Sequence, residues 1–273
     1  MAHTENKLIF LGTGTSQGIP VIGSKHPVCL SQDTKDKRLR SSIYVQYQGQ
    51  NILIDCGPDF RQQMLRAQLS SIDSVLITHE HNDHIIGMDD LRPILFRSSE
   101  EIPIYAEQRV IDDIKTRFPY AFQKEKYPGV PSFSVHTIDT QPFHTASKVE
   151  IIPLRVIHGQ LPILGYRIGN MAYCTDVSHI PSETLEQLQN LDILILGALR
   201  QTPHHSHMTL KQAINYANEI GAKNTYITHI GHEMGFHEQV SKSLKPHVHL
   251  SYDGLQLSFS GTEHKNHSKT QHN

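Results

Sequence analysis

The densest chemistry in the sequence is Thr78-His79-Glu80-His81-Asn82-Asp83-His84, three histidines and an aspartate within six positions. They leave the apolar run 74–78, which reads as a buried strand. A loop leaving a strand end turns alternate side chains toward one point. His79 and His81 can then share one metal ion, and Asp83 with His84 another. The plain alternative is a polar surface loop, but four ligand-type side chains at the exit of a buried strand are costly without a cation. His158, Asp176 and His229 end the strand-like runs 149–157, 171–175 and 224–228 in the same way. A lone strand-end histidine is more often structural. Seven such residues together suit a hydrolytic centre of two divalent ions bridged by an aspartate, with zinc or manganese compatible with mixed histidine and carboxylate ligands.

These residues need strand ends that meet. Runs 7–11, 42–47 and 51–55 read as strands, the last two as a hairpin over Gln48-Gly49-Gln50. The pattern predicts helices over 61–69, 84–96 (broken at Arg92-Pro93), 110–118, 182–191, 209–220 and 238–244. It predicts strands over 102–105, 133–138, 163–168, 193–196 and 255–259 as well. Strands come first, then strand–helix alternation, and then the same order again. No linker separates the halves, which fits two mixed sheets with helices outside. Gly12-Thr-Gly-Thr-Ser-Gln-Gly18-Ile-Pro20 superficially resembles a dinucleotide loop, but its last glycine is one position late and Pro20 follows where a helix should grow.

Composition narrows the function. The chain has 273 residues and a formal charge of -2, from 25 Lys plus Arg and 27 Asp plus Glu. A dedicated nucleic-acid or membrane-surface binder would show a basic excess. Three cysteines make no disulfide framework, and Cys56 and Cys174 read as small core residues. The start MAHTENKLIF shows no signal peptide, so a cytoplasmic protein is expected. Residues 1–260 read as a single domain and 261–273 as a disordered polar tail, which takes His264, His267 and His272 out of the count of 20 histidines.

His79-x-His81-x-Asp83-His84, followed by His158, Asp176 and His229, resembles the metal ligands of the metallo-β-lactamase superfamily in that family's order. Gly12–Gly18, Leu53-Ile-Asp55 and Thr228-His-Ile-Gly-His232 fit as well, so the likeness covers residues 7–259. It implies an α/β fold, a four-layer αββα sandwich with the site at one edge. The opening glycine loop, His207-Met-Thr-Leu and Thr228-His229-x-x-His232 look like the phosphoribosyl cyclic phosphate phosphodiesterases of phosphonate breakdown. In that group the histidine matching His207 lies near the substrate phosphate and protonates the leaving oxygen. His204 and His205 compete for that place. Thr209, as a helix cap, would fix the loop of His207. His207 and Asp83 are the candidate catalytic residues, with Asp55 as a partner orienting a ligand histidine.

The same group carries a structural zinc on Cys-x-Cys-x-x-Cys and a histidine matching His232. Here those three positions read Ser24, His26 and Cys29. His26, Cys29 and His232 either keep a third, structural zinc with an unnamed fourth ligand or are ordinary loop residues. Arg38 and Arg40 either belong to a solvated charge run or hold a substrate's second phosphate.

The expected activity is hydrolysis of a small phosphodiester, such as a cyclic sugar phosphate, by a hydroxide held between two ions, with His207 as general acid. The alternatives are a tRNA 3′-processing nuclease, a thioesterase or lactonase, and a non-catalytic biosynthetic accessory protein. The resemblance also implies a homodimer.

Overall fold

The computed structural model describes residues 6–98, 101–123, 125 and 129–261. The tail expected over 261–273 therefore lies, from residue 262 on, outside the described residues.

The first sheet is built from β1 (Asn6–Gly12), β2 (Ser42–Tyr47), β3 (Gln50–Ile54), β4 (Ser74–Leu76), β5 (Ile102–Ala106) and β6 (Phe133–Thr137). The second takes β7 (Phe143–His144), β8 (Glu150–His158), β9 (Leu161–Ile168), β10 (Met171–Cys174), β11 (Ile193–Gly197), β12 (Asn224–Thr228) and β13 (Val248–Leu250). The chain then returns to edge the first sheet with β14 (Gln256–Phe259). The orders are β14-β1-β2-β3-β4-β5-β6 and β13-β12-β11-β10-β9-β8-β7. In each sheet one half is antiparallel, as in β1–β2–β3 and β8–β9–β10, and the other parallel, as in β3–β4–β5 and β10–β11–β12. Parallel strands need crossovers that cover them, and the helices supply that cover.

Side-chain alternation builds the layers. Along β1, Leu8 and Phe10 point between the sheets, while Ile9 and Leu11 point to the outer helices. The middle layer joins Leu8, Phe10, Ile43 and Ile54 to Tyr166, Ile168, Tyr173 and Ile195 of the second sheet. The outer layer of the first sheet packs on α2 (Phe60–Ala67), α4 (Arg92–Ser98) and α5 (Gln108–Arg117). That of the second packs on α6 (Ser182–Gln187), α7 (Leu210–Ile220) and α8 (His237–Ser243). The result is the expected αββα sandwich. Two hydrogen bonds cross the seam beside the histidine run: Leu164 N donates to Thr78 O at 3.1 Å, and the Tyr166 hydroxyl to Ile77 O at 2.6 Å. The second gives a buried phenol the partner it needs.

Local chemistry explains most boundaries. Thr209 caps α7 in a capping box with Gln212, and Gly221 ends it at φ 68°. Leu210, Ala213, Ala217 and Ile220 form its buried stripe. The long helix expected over 84–96 is instead α3 (Asn82–Ile85), a 3₁₀ stretch over Ile86–Leu91, and α4. Pro93 is the second residue of α4, where its missing N–H costs nothing, so it opens a helix rather than interrupting one. The helix expected over 182–191 stops at Gln187.

Candidate metal centre

The ligand residues converge because both sheets end at the same edge. The turn after β4 brings His79, His81, Asp83 and His84. β8 brings His158, the exit of β10 brings Asp176, and the exit of β12 brings His229. Three turns here reverse in left-handed backbone: Asp55 at φ 64°, Asp176 at φ 52° and His229 at φ 56°. Such positions cost about 1–3 kcal/mol outside glycine and gather at functional sites.

Two sets of donor atoms form, each lying within 4.8 Å of one another. One is His79, His81, His158 and Asp176; the other is Asp83, His84, Asp176 and His229. The pairing of His79 with His81, and of Asp83 with His84, is as the sequence suggested, and Asp176 is the shared aspartate. His79 Nε2 lies 3.0 Å from His81 Nδ1. His84 Nε2 lies 3.2 Å from Asp83 and 3.3 Å from Asp176, and His229 Nε2 lies 3.2 Å from Asp176.

The far nitrogens of His79, His84 and His158 are anchored, and this fixes which of their lone pairs face inward. His84 Nδ1 meets Asp55 at 2.7 Å. The Thr78 hydroxyl donates to Asp55 and accepts from His79 Nδ1 at 2.9 Å. His158 Nδ1 donates to Ser206 O at 2.8 Å. Asp55 thus touches the ring of a candidate ligand, as its expected role would require; the contacts of Thr78 and Ser206 were not foreseen.

The donor set fits two divalent cations on its own chemistry. Among the described residues, His84 Nε2 and both nitrogens of His229 are buried and find no well-formed hydrogen bond. Asp55, Asp83 and Asp176 add three buried carboxylates. Burial pulls the His84 pKa down, but Asp176, Asp83 and Asp55 outweigh it and hold it well above the usual value. Burial pushes Asp83 and Asp176 up, but neighbouring histidines hold both well below the carboxylate range. Left without ions, the cluster collects positive charge onto a histidine; divalent cations meet the same demand directly.

His207 faces this centre. Its ring centroid lies 4.6 Å from that of His158 and 4.8 Å from that of His229. Burial, with His229 beside it, pushes its pKa down to about 3. Of its two rivals, His204 lies 5.2 Å from His207, and His205 is exposed beyond it, ring to ring with His204. A cleft of about 370 Å³ adjoins, lined by Thr15, Ser16, Gln17, Arg200, His204, His207 and Glu233. Leu199 is its one apolar side chain among the described residues.

Of the two arginines, Arg38 fits neither sequence reading. Arg38 is only 3% exposed and fully engaged inside the protein, so it is neither solvated nor free for phosphate. Arg40 pairs with Asp59 at 3.1 Å and donates from Nε to Ser16 O, bracing the opening loop. The arginine that lines the cleft is Arg200, which ion-pairs with Glu233. Its only sequence signal is its place between a buried strand and Pro203-His-His-Ser-His207.

His26, Cys29 and His232 gather without converging as the other sets do. The rings of His26 and His232 meet edge to face at 4.8 Å. His26 Nδ1 accepts from Val28 N at 3.3 Å, capping the short helix α1 (Pro27–Leu30) that holds Cys29. Cys56 and Cys174 are buried core thiols, and burial pushes Cys174 up to about 12.

Comparison with known proteins agrees with this geometry. Residues 50–230 match the family described as Beta-lactamase superfamily domain. A crystal structure described as a new diphosphatase from the PhnP family is 40% identical, with a TM-score of 0.88, and the match covers 94% of this chain and 99% of that one. An octanoyltransferase of Porphyromonas gingivalis is 44% identical over 253 residues, which is 92% of this chain but 51% of that protein. A ribonuclease Z of Methanococcus aeolicus is 25% identical over 219 residues, 78% of this chain and 60% of its own length. The chain thus spans about half the length of the octanoyltransferase and under two thirds of the nuclease. With the family match over residues 50–230 and the likeness along nearly all of the diphosphatase, this chain belongs to the metallo-β-lactamase superfamily, among its PhnP-like hydrolases.

Proposed function

We propose that residues 1–260 form a single dinuclear-metal phosphodiesterase domain acting on a small, polar phosphodiester such as a cyclic sugar phosphate. The observation that carries the reading is Asp176, shared by two complete donor sets, with His207 beside both. His79, His81 and His158 would hold one ion, and Asp83, His84 and His229 the other. Two such ions supply Lewis acidity toward phosphoryl oxygens and a water acidified to a pKa of about 7. Asp55, Thr78 and Ser206 keep the ligand rings aimed. Burial holds the His207 pKa down to about 3; an anionic phosphoryl group beside it would raise its proton affinity and let it pass a proton from its ring to the leaving oxygen.

The cleft favours this substrate class over its rivals. Its hydroxyls, amide and imidazoles suit phosphate and sugar oxygens, and Leu199 is the one apolar side chain described there. That disfavours the thioesterase and lactonase readings. The octanoyltransferase relative carries a second half that this chain does not match. Against a tRNA nuclease, the stretch from Asp176 to His229 is taken up by α6, β11, α7 and β12, leaving no protruding arm there. Among the described residues no helix is long and apolar enough to cross a membrane.

The test is hydrolysis of 5-phosphoribosyl 1,2-cyclic phosphate by zinc- or manganese-loaded protein. His207→Ala is expected to keep both ions and lose a factor of about 10²–10⁴ in kcat. Wild-type turnover in that variant would rule out the proton-donor role. No phosphodiester turnover in protein holding two ions would return the acyl-hydrolase and non-catalytic readings.

A further inference from the structure

A buried polar knot lies behind the opening loop. Arg38 Nη1 donates to the Thr13 hydroxyl at 2.8 Å and to Ser251 O at 2.7 Å, and its Nη2 meets His237 Nδ1 at 3.1 Å. Thr13 in turn donates to Asp253 at 2.7 Å, and the other Asp253 oxygen accepts from Leu39 N at 2.8 Å. A buried guanidinium with this many fixed partners is costly to assemble, so its place in the fold is informative.

Its two oxygen acceptors sit on segments that flank one metal-ligand residue. Thr13 O accepts from Ile230 N at 2.9 Å, and Thr15 N donates to Ile230 O at 3.1 Å. Ser251 N donates to Ile227 O at 3.0 Å. Between Ile227 and Ile230 lies His229, in left-handed backbone at φ 56° and, among the described residues, with neither ring nitrogen in a well-formed hydrogen bond. The other buried ligand rings are aimed by a partner on their far nitrogen. His229 has none, so its direction must come from its backbone.

We propose that Arg38, through Thr13 and Ser251, is the positioning residue for His229: it clips together the two segments that hold this strained turn and thereby sets the donor set of Asp83, His84, Asp176 and His229. The role rests on the dinuclear reading above. It touches neither ion nor substrate.

The test is a Zn²⁺ titration of metal-free full-length protein, read by calorimetry and by metal counting, for wild type, Thr13→Val and Arg38→Lys. Thr13→Val keeps the side-chain shape and removes the hydroxyl; Arg38→Lys keeps the charge and removes the fork. Both are expected to fill the set of His79, His81, His158 and Asp176 as wild type does. Both should weaken the other step by about 10-fold or more, the scale typical of residues that orient ligands. Their kcat should fall with occupancy and recover when Zn²⁺ is raised, while the first step stays as in wild type, which a general loss of fold would not allow. Ile114→Val, in the helix layer on the first sheet, serves as the control: it lowers Tm without changing either step. An unchanged second step in both variants, or a loss that excess Zn²⁺ does not restore, would overturn the role of Arg38. A wild-type protein that takes up fewer than two ions would instead overturn the dinuclear reading.

Discussion

At the strand ends, His79, His84 and His158 each spend one ring nitrogen on Thr78, Asp55 and Ser206 O, leaving the other aimed inward. In the opening loop, His26 spends a nitrogen on the Val28 backbone and meets His232 only ring to ring. Both places collect good zinc ligands. What separates them is the sense of the bond: at the strand ends the far nitrogen donates and leaves the inward one its lone pair, whereas His26 Nδ1 accepts and spends its own on Val28 N. A motif says which side chains are near one another; the anchors behind them decide whether the lone pairs share a point.

The contrast breaks most severely at Asp176. Asp176→Ala removes the one carboxylate common to both sets, and both ions and all turnover should be lost, as metal counting beside an activity assay would show. Ion content that survives the change would mean the two sets are independent. Asp55→Asn tests anchoring itself: the ligands stay but the partner of His84 is weakened, and metal affinity should fall about 10–100-fold. An unaltered titration would reduce the anchor to packing. His26→Ala should cost no more than about 1 kcal/mol, the scale of a helix cap, and leave two ions per chain. If the wild type holds three ions and this variant two, the opening loop is a metal site after all.

The smallest effect concerns acid. Burial, with Arg38 and Lys35 beside it, pushes the His237 pKa from 6.5 down to about 4. The unfolded chain therefore binds this proton at higher pH than the folded one. Stability from this residue is present above 6.5 and is lost as pH falls toward 4. Tm of the metal-free protein should drop across that window, and His237→Gln should flatten part of the drop.

Much of this molecule is legible from its residue order. Apolar runs mark most of the strands, Thr209 and Gly221 mark α7, and His79 to His84 name the ligands of one turn. What stays hidden is long-range. The run from Asp36 to Arg40 reads as solvated, yet Asp36 and Arg38 are buried because His237 and Ser251, some 200 residues on, close over them. β13 is three residues with His249 at its middle, too short for a periodic signal. Pro93 misleads because the same ring that breaks a helix interior suits its first turn.

Neither donor set is complete on one sheet. His79, His81, Asp83 and His84 hang from the first, and His158, Asp176 and His229 from the second. With only β1 to β6 paired, the chain has four of the donors but lacks the shared carboxylate. A metal ion that needs a whole donor set would be held only once the second sheet has docked, and its binding energy would then accrue to the closed sandwich. Such a centre would act as a coincidence detector for the chain's own assembly: metal retention would report that both halves arrived, and a chelator would work as a wedge at the seam between them.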